Sequence, residues 1–134
     1  MEGYSGKPLF QKLGIKPGTT VVVIKAPKNY RELLGELPAE ACVTDRLPPR
    51  VDFAHFFTTR RSDLEKELKL LRAKLSDAGT LWVSWPKKSS NVPSDLDENV
   101  IRNFALKNGL VDIKVCAVDE VWSGLKLVIP VKER

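Results

Sequence analysis

A chain of 134 residues that is 43% hydrophobic and 29% charged has the make-up of one packed globular domain, residues 1–134, and lacks the low-hydrophobicity signature of disorder. Its formal net charge of +5 and pI near 9.3 favour anionic partners, although the cations are spread along the chain and form no single run. The longest apolar run, Val21-Val22-Val23-Ile24, is too short to cross a bilayer, and Met1-Glu2-Gly3-Tyr4 does not open like a secretory leader. A cytoplasmic protein with no membrane partner is expected.

Lys7 to Gly14 reads as a short helix, with Pro8 suited to its first turn and Gly14 to the position past its end. Ile15-Lys16-Pro17-Gly18 turns the chain into Thr19–Lys25, a β-branched run of the kind found in a strand covered on both faces. Tyr30, Leu33, Leu34 and Leu37 fall at helical spacing within Asn29–Leu37. Ala41–Asp45 reads as a short strand and Val51–Thr58 as an aromatic-rich one. The prolines between them break any ladder, so the second strand is either very short or antiparallel.

Ser62–Ala78 carries Leu64, Leu68, Leu71, Leu75 and Ala78 on one face. Ser62 and Glu65 suggest a capping box, and Gly79 a left-handed stop. Thr80–Trp85 reads as a strand ended by Pro86. A second amphipathic helix brings in Leu96, Val100, Ile101, Phe104 and Ala105 and stops at Asn108-Gly109. Leu110–Val118 and Leu125–Val131 close the chain as two strands joined through Ser123-Gly124. Long helices alternating with strands up to a terminal pair predict a three-layer α/β fold. Its sheet is mostly parallel, of about six strands with a C-terminal antiparallel pair, and has helices on both faces.

Cys42 and Cys116 stand in apolar, strand-like contexts, which points to reduced, buried thiols. With no CxxC pair or His/Cys cluster there is no metal ligand set. His55, the one histidine, lies inside the aromatic strand, where packing is the expected role. The phosphate loop, the nucleophile elbow and a histidine–carboxylate pair are absent, which excludes the common hydrolase and triphosphatase mechanisms.

Leu13-Gly14-Ile15-Lys16-Pro17-Gly18-Thr19-Thr20-Val21-Val22-Val23-Ile24 and the element order resemble class I S-adenosylmethionine-dependent methyltransferases, whose Rossmann-like, seven-stranded sheet ends in an antiparallel hairpin. Gly79 to Lys87 and Asp119 to Lys126 are also similar to a family of small bacterial proteins of unknown function with this reduced fold. The resemblance implies a cofactor loop after the first strand, and an acidic residue, here Asp45, holding ribose hydroxyls at the end of the second. The loop instead reads Lys25-Ala26-Pro27-Lys28-Asn29 without glycine, so side chains occupy space that the cofactor backbone contact needs. One strand–helix unit is also missing between Asp45 and Val51. The expectation is therefore a degenerate domain with no cofactor and no catalytic residues.

Ligands of open parallel sheets bind beyond the carboxyl ends of the strands. Those ends are basic here, and Lys25, Lys28, Arg60, Arg61 and Lys87 are expected to converge with Asp45, Thr58 and Trp85. The helix N-terminus at Ser62 would add free N–H groups. The leading expectation is a non-catalytic domain that binds an anionic or phosphate-bearing small molecule on this rim. Methyl transfer is the weaker alternative. Nucleic acid is another, through Trp85, Tyr30 and surface cations but without a recognised motif. A third is an interaction module, such as a homo-oligomer that pairs through its terminal strands, with Trp82 in the core.

Overall fold

The computed structural model describes residues 7–134; the Met1-Glu2-Gly3-Tyr4 opening lies outside them. The strands are β1 (Thr20–Ile24), β2 (Cys42–Thr44), β3 (Val51–Phe57), β4 (Leu75–Pro86), β5 (Val111–Ala117) and β6 (Trp122–Val128). The helices are α1 (Leu9–Leu13), α2 (Tyr30–Leu34), α3 (Arg61–Lys74) and α4 (Glu98–Lys107). The strands form one sheet in the order β2-β1-β3-β4-β6-β5. The first four run parallel, and β6 is antiparallel to both β4 and β5. This is the Rossmann-like layering expected from the alternation of elements.

The second strand is both short and parallel, with Cys42 beside Thr20 and Thr44 beside Val22. The chain then returns to Val51 through residues 45–50 without a helix, and Leu47 of this bare crossover packs against the core beneath α3 and α4. A parallel return without a helix explains why the sheet has six strands where the resembled fold has seven.

Alternation along the strands creates two cores. Ala54, Phe56, Leu81, Val83, Trp85 and Leu125 meet Leu64, Leu68 and Leu71 of α3 and Ile101 and Ala105 of α4. On the other face Val21, Val23, Phe53, Phe57 and Trp82 meet Leu9 and Leu13 of α1 and Tyr30 and Leu34 of α2. Each fully buried leucine of α3 contributes about 1.5–3 kcal/mol by leaving water.

The expected ends of α3 do not form. No side chain of its own first turn caps it; the Arg61 N–H donates to Asp95 Oδ1 at 2.8 Å, from the loop before α4. The helix stops at Lys74, and Gly79 lies inside β4, where a Cβ would stand 2.6 Å from Leu75 Cδ1. Gly79 there permits a close approach to Leu75 and to the Ser76 carbonyl oxygen, and does not act as a left-handed stop. The last strand also begins earlier than expected. Asp119 Oδ1 accepts from the N–H groups of Val121 and Trp122, so the turn is complete before Ser123 and Gly124 enter the ladder. Cys42 is exposed and Cys116 half-buried, both as free thiols, which corrects the expectation of two buried ones. No helix among the described residues is long and apolar enough to cross a membrane.

Candidate functional site at the strand ends

Beyond Ile24 the chain turns through Lys25 at φ 58°, a left-handed conformation that costs a non-glycine residue about 1 kcal/mol or more. The turn opens a cleft of about 500 Å³ between the β1–α2 loop and the end of β2. Lys25, Lys28, Arg31, Tyr30 and Asp45 are among its lining residues, with Ala26 and Pro27 forming part of the wall. Asp45 therefore does stand across the cleft from Lys25 and Lys28. Lys25 also reaches Asp63 of α3 at 3.4 Å, an exposed pair of small energetic weight. Arg31 was not among the expected residues. It follows Tyr30, whose ring points into the core, and so emerges toward the cleft, where its guanidinium lies 3.4 Å from the Val43 carbonyl oxygen.

The other expected rim residues lie elsewhere. Arg60 and Arg61 line a separate hollow of about 610 Å³ with Thr59, Ser62 and Asp95. The Asp95 carboxylate already accepts from the Arg61 N–H and so sets a negative charge of the chain's own at the N-terminus of α3. Thr58 is buried, with its hydroxyl turned toward the Arg60 backbone. Trp85 is 7% exposed and packs in the α3/α4 core, because it shares the face of Leu81 and Val83 in β4. Lys87 is half-buried, its N–H held by the Val121 carbonyl oxygen at 2.7 Å, and it lines neither hollow. Lys25, Lys28 and Asp45 thus share the mixed-charge cleft at β1 and β2, while Arg60 and Arg61 line the hollow at α3.

Beneath the cleft, a buried polar chain crosses three elements. The Tyr30 hydroxyl lies 2.8 Å from His55 Nδ1, and His55 Nε2 lies 2.7 Å from Ser84 Oγ. Burial pushes the His55 pKa down to about 3 and the Tyr30 phenol above its usual range. A neutral imidazole accepts on one nitrogen and donates from the other, so a Tyr30 hydroxyl donating to Nδ1 leaves Nε2–H to donate to Ser84. His55 is 0% exposed; it is a packing and orienting group, as its strand position suggested. Among the described residues no cluster of His, Cys, Asp and Glu could hold a metal ion.

No protein-family model matches the chain, and no curated protein matches it in sequence. Solved structures do match in fold. One is a SAM-dependent methyltransferase from Aquifex aeolicus, with a TM-score of 0.64 at 14% identity over 96% of this chain and 91% of that one. Another belongs to the complex between the Haloferax volcanii Trm112 methyltransferase activator and the putative methyltransferase, with a TM-score of 0.63 at 12% identity over 91% and 86%. A third is a putative methyltransferase from Thermoplasma acidophilum, with a TM-score of 0.57 at 7% identity over 91% and 74%. The sheet order, the closing antiparallel pair and these likenesses together establish that this chain has the fold of the class I SAM-dependent methyltransferases.

Proposed function

We propose that the chain is a methyltransferase-like binding domain that does not transfer methyl groups, and that its β1–β2 cleft takes a phosphate-bearing ligand such as a nucleotide. The observation that carries this reading is the lining of the cleft: three cations, Lys25, Lys28 and Arg31, face one carboxylate, Asp45. Asp45 suits ribose hydroxyls, and the cations suit phosphate oxygens. The same lining opposes S-adenosylmethionine, because its sulfonium is itself a cation and Pro27 gives no backbone donor to the loop. A nucleotide ligand also fits the cytoplasmic setting we propose.

Calorimetric titration of ADP, pyrophosphate and S-adenosylmethionine into the wild-type protein and a Lys28→Ala/Arg31→Ala variant tests the reading. ADP is expected to bind, with at least a tenfold loss in the variant, about 1.4 kcal/mol. An Arg60→Ala/Lys87→Ala variant should bind like the wild type. Preferential binding of S-adenosylmethionine, or equal ADP affinity in all three proteins, would overturn it.

A further inference from the structure

A second basic site lies on the opposite side of the sheet from α3 and α4, away from the cleft. Lys114 of β5 and Lys126 of β6 stand directly opposite one another in the antiparallel ladder. Like charges at such positions destabilise a sheet, since their side chains leave the same face about 5 Å apart. Both reach toward α1. The Lys114 amine lies 3.4 Å from the Lys12 carbonyl oxygen, and the Lys126 amine ends 3.9 Å from where a Cβ would sit at Gly14.

Lys12 brings a third ammonium, donating to the Ala117 carbonyl oxygen at 3.0 Å, and Lys16 a fourth. Among the described residues, Lys16, Lys114 and Lys126 have no carboxylate within ion-pair distance. Partial burial, then Lys114 and Lys16, holds the Lys126 ammonium below the usual lysine range. Gathering Lys16, Lys114 and Lys126 opposes folding, and a bound polyanion reverses the sign of that cost.

We propose that Lys16, Lys114 and Lys126 form a binding patch for the phosphodiester backbone of single-stranded nucleic acid. Lysines act as point charges on phosphate without the forked geometry that reads bases, so the contact is independent of sequence. A lipid surface would need apolar side chains to enter the headgroup region. On the face of the two lysines, Trp82 and Val128 are buried and Cys116 is half-buried, so none of them stands out to enter a headgroup region.

Fluorescence anisotropy of a short labelled oligonucleotide tests the proposal on the full chain. The wild type should bind at about 50 mM salt and weaken steeply by about 200 mM. Lys114→Gln/Lys126→Gln should bind at least tenfold more weakly, and its log–log salt slope should fall by about 1.4, or 0.7 for each lost phosphate contact. Lys114→Arg/Lys126→Arg should restore binding, and Lys28→Ala/Arg31→Ala should leave it unchanged, which separates this patch from the cleft. The glutamine variant should melt no lower than the wild type, so lost binding would not reflect lost structure. Absent wild-type binding at low salt, undiminished binding by the glutamine variant, or lysine-dependent capture by phosphatidylserine vesicles in place of the oligonucleotide would each overturn the proposal.

Discussion

On one face of the sheet, α3 and α4 run for 14 and 10 residues and bury regularly spaced leucine, isoleucine and alanine. On the other, α1 and α2 have five residues each, too few to be stable as helices alone. That second face is fixed by directional contacts. Trp82 Nε1–H donates to the Leu13 carbonyl oxygen at 2.9 Å, Tyr30, His55 and Ser84 form their chain, and Phe57 meets Tyr30 and Trp122 edge to face. Apolar area alone specifies packing loosely, whereas buried hydrogen bonds tie short segments to one position. The candidate ligand cleft opens where the directional face reaches the strand ends, so its shape depends on those bonds.

The largest expected effect lies on the apolar face. Leu68 is fully buried against the sheet, and Leu68→Ala should cost about 2–5 kcal/mol of stability through lost transfer energy and a cavity. Urea denaturation measures this, and nucleotide affinity of the folded variant should be unchanged. A variant that lost affinity in step with stability would break the separation between the two faces.

Next comes the directional face under acid. His55 has an ordinary pKa of 6.5 when unfolded and about 3 when folded, so between these values the unfolded chain binds a proton that the folded chain refuses. Stability from this group falls as pH drops through that window, by up to about 1.4 kcal/mol per unit, and is level above pH 6.5. Denaturation curves from pH 7 to 4 should show a shallower acid slope in His55→Gln than in the wild type. Equal slopes would mean that the imidazole is not held neutral by its burial.

Tyr30→Phe should cost about 1–3 kcal/mol, because the ring still packs while His55 Nδ1 loses its partner in a dry site. Since Tyr30 also lines the cleft, ADP affinity should fall as well, by less than in Lys28→Ala/Arg31→Ala. Unchanged affinity would show that the hydroxyl supports packing alone.

These differences also mark what could be read from the residues. The leucine spacing of α3 is written within its own segment, and so are the β-branched β1 and the order of elements. The ends of α3 are not, because Asp95, distant in sequence, supplies the cap and the ladder with β3 pulls the chain into β4. The strand ends were legible as basic, but which cations meet depends on strand direction and facing. Alternation in β4, with Trp82 and Ser84 opposed to Leu81, Val83 and Trp85, was a local signal that would have turned Trp85 inward. Arg31 could have been found as the neighbour that leaves the inward Tyr30 face. The facing of Lys114 and Lys126 needs the β5–β6 register, with its irregularity between Asp112 and Lys114, and no local pattern specifies that.

The smallest expected effect has the opposite sign to the others. Lys114→Glu places a carboxylate opposite Lys126 and replaces a repulsion with an attraction, so stability should rise by about 0.2–1 kcal/mol. Differential scanning calorimetry at low salt would show it, and added salt should shrink the gain because the groups are partly in water. A neutral or destabilising outcome would mean that neighbouring solvent already screens the pair, leaving no strain for a ligand to relieve. A gain in stability together with lost oligonucleotide binding would show that the two facing lysines oppose folding and support recognition.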